Sequence, residues 1–457
     1  MSSKAFQSFG TAAVFRIAFP LMLIALTSNM MLFVGRMVLA KYDIHTMNAA
    51  ASSMLVCSIF QIAGLSITTI AEIFVGQHNG AGNLKQVPNA VWQMIWFSLA
   101  LTIIFVPIAL FGGEFLIAEK FKALGIGYFQ ITMLSGFLVP LLGALASFFI
   151  GTGQSSSLIV SSVIANSVNV GLNIALVFGV ENLIPPMGAS GAAISTTLAL
   201  SGQVVFLFLV FINDENHRVF GTRRLTVDAA KMIKCINIGF PNALGRMAEI
   251  TGWASIIAYL STVDESYVTV QTLCHSLIVM FMFTAEGLSK GVTAIVSNVI
   301  GRGDLKAVSK IVRSSRNILL IILAMLWVVL WYVPELTLLK LMNEAQFVDV
   351  ELKNYIMLAL KGLWVYFVFN GFSLIIWGVL TAGGDTRFIM LSNTLSTWLF
   401  AVIPTYVCVA YFHVTPAIPY QYVAPVYGFL GLVIVFIRYH SKKWLKLNLA
   451  TKAKAAA

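Results

Sequence analysis

The chain alternates long apolar runs with short polar breaks over almost its whole length. The runs cover roughly residues 12–38, 46–76, 91–113, 124–150, 157–180, 189–213, 233–260, 267–299, 316–339, 355–380, 388–412 and 417–439. A helix needs about 20 apolar residues to cross the hydrocarbon core of a bilayer. Inside that core every backbone N–H and C=O must find its partner within the protein, which favours helices. The pattern therefore predicts an all-α polytopic membrane protein with twelve transmembrane helices. Composition agrees: mean hydropathy is +0.88, with 59% hydrophobic and 10% charged residues, whereas soluble domains are about a quarter charged. This excludes a disulfide-stapled secreted domain, a disordered chain and a cytosolic enzyme. The cysteines Cys57, Cys235, Cys274 and Cys408 are scattered without a CxxC, so no zinc or redox centre is read.

An even number of spans puts both termini on one side. The net charge of +11 is concentrated in the loops of that side, at Arg223, Arg224, Lys231, Lys234, Arg302, Lys306, Lys310, Arg313, Arg438, Lys442 and Lys443. The opposite loops carry few cations, such as Arg36, Lys41 and Lys120. Positive residues mark the cytoplasmic side, so both ends are expected in the cytoplasm. The cations read as topology signals and as a solvated face near lipid headgroups, not as a nucleic-acid surface. The first run lacks an A-x-A-like cleavage site and reads as a retained span. The tail, 441–457, is expected to be cytoplasmic, and its low-complexity end, Leu449–Ala457, is expected to be disordered.

The chain also repeats itself. Phe19-Pro20 recurs as Phe240-Pro241, and Gly80-Ala-Gly82-Asn-Leu-Lys85 recurs as Gly301-Arg-Gly303-Asp-Leu-Lys306, both at an offset of 221 residues. A looser pair, Gly151-Thr-Gly153-Gln-Ser155 and Ala382-Gly-Gly384-Asp-Thr386, is offset by 231. The prediction is two pseudo-symmetric six-helix lobes, 1–213 and 233–440, joined by a cytoplasmic linker at 214–232. Parallel repeats of this kind enclose substrate and ion sites near the bilayer midplane. The Gly-x-Gly pairs follow apolar spans, not strands, so they read as tight turns between membrane helices rather than phosphate loops.

Ionisable side chains at membrane depth are costly, about 2.5–3.5 kcal/mol each on insertion scales, and so suggest function. The candidates are Arg16, Glu72, Arg246, Glu249, Glu286, Lys290 and Lys361. Arg16, Glu72, Lys290 and Lys361 lie toward span ends, where snorkelling is the plain reading. Glu286 and Lys290 are four apart and can pair on one helical face. Glu249 is the sharpest candidate, eight residues past Pro241 and on one face with Arg246. It is either half of a structural ion pair or a cavity carboxylate that trades a proton or Na⁺ for substrate. Asn169, Asn173 and Asn370 are polar positions that can bond between helices or offer carbonyl oxygen to Na⁺. His275 reads as a neutral, hydrogen-bonded core histidine that could in principle titrate.

Taken together, these features resemble the multidrug and toxic compound extrusion (MATE) family. The resemblance rests on Phe-Pro early in spans 1 and 7, Phe33-Val-Gly35, Gly76-Gln-His-Asn-Gly-Ala-Gly82, Asn169-Val-Gly-Leu-Asn173, Gly188-Ala-Ser-Gly-Ala-Ala193 and Gly378-Val-Leu-Thr-Ala-Gly-Gly-Asp-Thr-Arg387. It implies a transporter that exports organic cations and drugs in exchange for Na⁺ or H⁺ by rocking two lobes. It also implies coupling carboxylates. Three of those positions fall on Met30, Asn173 and Asn370, and only Glu249 is kept. The N-lobe acidic site is thus expected to be lost. Coupling should rest on Glu249 with Asn370 as neutral partner, and Arg246 keeps an anionic substrate open.

The expectation is a monomeric exporter in a bacterial inner membrane, with a small-molecule substrate and no cofactor beyond a coupling Na⁺ or H⁺. Arg246, Asn169, Asn173, Met30 and His275 are its candidate cavity residues. A lipid-linked precursor flippase or an uncoupled transporter is the alternative. A polytopic enzyme is disfavoured, because no HExxH, Ser/His pair or membrane aspartate is present in the spans.

Overall fold

The computed structural model describes residues 9–332 and 350–447. Among the described residues, twelve long helices follow one another. They are α1 (Thr11–Tyr42), α2 (Ile44–Gly80), α3 (Leu84–Phe111), α4 (Glu119–Thr152), α5 (Ser155–Phe178), α6 (Gly188–Phe211), α7 (Ala229–Leu260), α8 (Glu265–Arg302), α9 (Ala307–Tyr332), α10 (Val350–Ala382), α11 (Thr386–Phe412) and α12 (Pro419–His440). Ten are long and apolar enough to cross a membrane on their own sequence. The other two, α1 and α7, are counterparts in the repeat, each with an internal proline, Pro20 or Pro241. Part of the ninth expected span and most of the expected tail lie outside the described residues. The expected linker contains a short helix, Asp214–Phe220, held by the Arg223–Asp214 ion pair.

Local chemistry explains the helix ends. Asp43, Asp228 and Asp264 cap α2, α7 and α8 by accepting the backbone N–H of Thr46, Lys231 and Ser266. An N-cap carboxylate satisfies one of the helix's orphan donors. The Thr46 hydroxyl and N–H hold the partly exposed Asp43 carboxyl below its ordinary range. Asp43 and Asp264 are themselves one 221-residue repeat apart. At the other ends of α2 and α8, Gly82 (φ +75°) and Gly303 (φ +81°) take the left-handed conformation that stops the helix.

The repeated motifs meet in one place. Across the boundary between lobes, Gln77 of α2 donates to the carbonyl of Ala382 at the end of α10 at 3.0 Å. In the mirror relation, Asn298 of α8 donates to the carbonyl of Gly151 at the end of α4 at 2.9 Å. Gln77 and Asn298 are offset by 221 residues, and Gly151 and Ala382 by 231. The pseudo-twofold axis therefore runs between these bonds. Asn79 adds a 2.7 Å bond to the Asn298 side-chain oxygen. The first glycine of each Gly-x-Gly serves this crossing. A Cβ on Gly80 would lie 1.9 Å from the Asn298 carbonyl oxygen, and one on Gly301 would lie 2.1 Å from that of Gln77. The turn expected from sequence is present, but only its second glycine makes it.

Apolar packing between lobes lies in the same half of the molecule. Val14, Ile17, Ala18 and Met22 of α1 join the C-lobe core with Leu288, Val292 and Ile295 of α8. Cys235 and Ala243 of α7 join the N-lobe core with Ile67, Ile70 and Phe74 of α2. Toward the far end, buried clusters stay within one lobe, as with Val38, Leu39, Ala50, Tyr128 and Val177. The lobes therefore pack on one another at the end that carries the basic loops.

Gly80→Ala should lower the midpoint of thermal unfolding in detergent by the equivalent of about 1–3 kcal/mol, the usual effect of overpacking. Gly10→Ala, with nothing within 4 Å of an added Cβ, should leave it unchanged. Equal midpoints for the two variants would contradict the close crossing.

Candidate functional site

Arg246 and Glu249 sit two turns beyond Pro241, near the middle of α7. Their spacing of three puts them on one face, and Arg246 Nη1 donates to Glu249 Oε2 at 3.2 Å. The second guanidinium nitrogen, Nη2, reaches Glu286 Oε1 on α8. The same Glu249 oxygen accepts from Asn393 Nδ2 of α11 at 2.9 Å. One arginine thus bridges two carboxylates on different helices, and the triad carries one net negative charge. It is partly open: side-chain exposures are 37% for Arg246, 13% for Glu249 and 30% for Glu286. Gly287, beside Glu286, packs on the backbone of Met22 in α1, which places the triad at the root of the cleft between lobes.

A second polar space adjoins it inside the C-lobe. Asn370, Ser373, Trp377, Ser392, Asn393, Ser396 and Tyr427 line a small cavity. Asn370 Oδ1, Asn393 Oδ1 and Trp377 Nε1 are buried there without a hydrogen-bond partner among the described residues. Buried polar atoms are nearly always paired, and these two acceptor oxygens with one N–H donor match a water; only the two oxygens are of a type that faces a small cation. Amide and hydroxyl oxygens are the donor type that hard cations take.

Several expectations change here. Glu249 is not the only acid at this arginine, because Glu286 shares it. Glu286 does not pair with Lys290 along α8; Lys290 is exposed and lies within electrostatic reach of both Glu286 and Glu72. Glu72 does not snorkel. It is 6% exposed, and its Oε1 has no hydrogen-bond partner among the described residues. The partner that touches Glu249 is Asn393, while Asn370 lines the neighbouring cavity. His275 is not a core residue: it is exposed on α8, about 16 Å along the axis from Glu286.

The N-lobe differs in charge. The Met30 side chain lies outside the described residues. Asn169 donates to Thr196 at 3.3 Å and so ties α5 to α6. Asn173 is buried against Gly35 with its Oδ1 unpaired among the described residues. It lines a cavity with Met31, Arg36, Met47, Met54, Tyr128 and Thr196 that contains no carboxylate. By the 221-residue offset Glu249 corresponds to Ser28, whose side chain lies outside the described residues; its neighbour Thr27 shares a neutral hydroxyl hydrogen bond of 3.0 Å with Ser162, which is 231 residues before Asn393. Sequence reasoning passed over Asn393; the polar run Ser392-Asn393-Thr394 within an apolar span was the available signal.

Two six-helix lobes around a midplane charged site define a multi-pass membrane transporter rather than an enzyme. The MatE family model matches residues 20–175 and 241–407, most of both lobes. The chain therefore belongs to the MATE family. It is 20% identical over 385 residues, 82% of this chain and 80% of the other, to a probable multidrug resistance protein NorM of Thermotoga maritima. It is 22% identical over 396 residues, 84% of each chain, to one of Bradyrhizobium diazoefficiens. Among solved structures, one described as an outward-facing conformation of a multidrug resistance MATE family transporter superposes with a TM-score of 0.84 at 16% identity, covering 97% of this chain and 98% of the other. A MOP superfamily transporter from Pyrococcus furiosus, described as having a binding pocket of reverse polarity, superposes with a TM-score of 0.81 at 16% identity over the same shares.

Removing Arg246 would leave two carboxylates facing each other. Arg246→Gln should destabilise the protein by about 2–3 kcal/mol, toward the lower end for a broken buried pair because the triad is partly solvated. Adding Glu286→Gln should restore part of that loss. A double-mutant cycle on thermal midpoints reads the coupling, and strictly additive effects would show that the bridge carries no energy.

Proposed function

We propose that this chain is a secondary antiporter that exports small amphipathic, drug-like molecules in exchange for H⁺ or Na⁺, with the Arg246–Glu249–Glu286 triad as its coupling site. The observation that carries this is the charge of the triad. One guanidinium spans two carboxylates, and Lys290 lies within electrostatic reach of Glu286 without an ion pair to it, so Glu249 is the carboxylate that takes a further cation in a medium where charge is costly. A proton or Na⁺ at Glu249 satisfies that demand, with Asn393 and the oxygen-lined cavity at Asn370 beside it. A cationic substrate group satisfies it equally. The two compete for one charge, and competition for one site in alternating lobes is exchange.

The substrate's apolar part would extend toward the N-lobe, where Met31, Met47 and Met54 offer an adaptable lining. Arg36 on the same cavity admits a substrate that also carries an acidic group. In this reading both termini are cytoplasmic, the protein works as a monomer in a bacterial inner membrane, and the closed end of the lobes faces the cytoplasm. The conformation is then outward-facing, as in the multidrug transporter structure it resembles.

The test is transport of a fluorescent organic cation in proteoliposomes under an imposed pH or Na⁺ gradient. Glu249→Gln should abolish gradient-driven accumulation. Asn393→Ala, which removes one hydrogen bond to a charged group, should weaken apparent ion affinity about tenfold. Glu286→Gln makes the triad neutral with no added cation and should equilibrate substrate without responding to the gradient. Full gradient response in Glu249→Gln would reject the coupling role.

A further inference from the structure

We propose that the basic face around the start of α9 is a docking surface for anionic phospholipid. Lys306, Lys310 and Arg313 follow one another there at spacings of four and three, which puts them on one helical face. All three are exposed. None of their side chains has an ion pair, hydrogen bond or ring contact among the described residues. The nearest acid in sequence, Asp304, is exposed and pairs with none of them. The opposite face, with Ala307, Val308, Ile311 and Ser315, is buried.

The repeat explains why the basic face is open. At the 221-residue offset, Lys306, Lys310, Arg313 and Asn317 correspond to Lys85, Asn89, Trp92 and Trp96 of α3. There the linker between lobes covers the helix. Lys85 donates to the Arg218 carbonyl at 2.8 Å, Trp92 to that of Thr222 at 2.9 Å and Trp96 to that of Thr226 at 3.3 Å. No described segment holds the C-lobe counterparts in this way, and Lys310 and Arg313 carry charge where α3 has neutral side chains.

The height of the patch selects lipid. The helix α9 is long and apolar enough to cross a membrane. The face that carries the cations continues into Leu320, Ile321 and Val328, which are 47%, 55% and 48% exposed. Arg313 and Leu320 are two turns apart, about 10 Å along the axis. A phosphate held by Lys310 and Arg313 therefore lays its acyl chain over Leu320 and Ile321. Basic clusters immediately outside a membrane span attract anionic lipid in this manner. The patch also bears on the lobe boundary. Ser314, beside Arg313, donates to the Phe9 carbonyl at 2.7 Å, just before α1 begins. Lipid on α9 thus braces the element on which an N-lobe helix starts. The site does not depend on the antiport reading.

The full chain, purified in a non-ionic detergent, is titrated with phosphatidylglycerol, phosphatidylcholine or inorganic phosphate. Bound lipid is counted by native mass spectrometry, and thermal midpoints are recorded in parallel. Phosphatidylglycerol should bind and raise the midpoint by mass action, whereas phosphatidylcholine and phosphate should not. Each cation near a charged lipid surface is worth about fivefold in affinity, so Lys310→Gln with Arg313→Gln should weaken phosphatidylglycerol binding on the order of twenty-five-fold. The charge-conserving pair Lys310→Arg with Arg313→Lys should retain binding, which separates lost charge from a folding defect. Lys41→Gln with Lys120→Gln, in the opposite loops, should leave binding unchanged. Phosphatidylglycerol with a photoreactive acyl chain should label α9 between residues 317 and 328. Undiminished binding in the Lys310→Gln, Arg313→Gln variant, an equal loss in the Lys41→Gln, Lys120→Gln variant, or labelling that misses α9 overturns the site. Equal binding of phosphatidylcholine, or an equal midpoint shift from inorganic phosphate, overturns the lipid assignment.

Discussion

Two hydrogen bonds related by the pseudo-twofold axis hold this architecture together: Gln77 to the Ala382 carbonyl and Asn298 to the Gly151 carbonyl. Each links a lobe-boundary helix of one half to the end of a helix in the other. The last carbonyls of α4 and α10 have no partner within their own helices, so each bond satisfies an acceptor that would otherwise be orphaned. Gly80 and Gly301 are the condition for it, because a side chain at either would strike the facing backbone. The duplicated sequence therefore makes an interface as well as two copies of a fold. The two bonds lie at the end where α1 packs into the C-lobe core and α7 into the N-lobe core, so polar and apolar contacts between the lobes are gathered in one place.

Around that shared frame the lobes have diverged in charge. The C-lobe keeps three ionisable groups and a set of amide and hydroxyl oxygens at membrane depth. The N-lobe replaces them with a hydroxyl pair, methionines and Asn173. The difference matters because an isolated charge in a low-dielectric medium is unfavourable, and a site with one uncompensated charge must recruit a counter-ion from solution or from substrate. A neutral site makes no such demand. In the proposed reading, exchange chemistry is confined to one lobe, while the other offers shape and adaptable apolar surface.

Local rules account for what was legible in the chain itself. Twelve spans follow from hydropathy, since the bilayer admits few other arrangements of an apolar backbone. The duplication follows from two motifs at one offset. The pairing of Arg246 with Glu249 follows from helical spacing, and the loss of N-lobe acid follows from Met30 and Asn173 standing where the family carries carboxylates. That Glu286 reaches Arg246 on α7 instead of Lys290 on its own helix was not legible, because spacing along a helix says nothing of a neighbour helix.

The sequence by itself determined the class of protein, its two-lobed plan and the pairing of Arg246 with Glu249, because these depend on periodicities and burial costs that act along the chain. Only the tertiary structure decided that Glu286 shares Arg246, that Asn393 rather than Asn370 touches Glu249, that Glu72 is buried and His275 exposed, and that Gly80 and Gly301 meet opposing carbonyls. Each of these is set by how helices distant in sequence cross one another. Crossing geometry arises from side-chain packing in three dimensions, which no local pattern encodes.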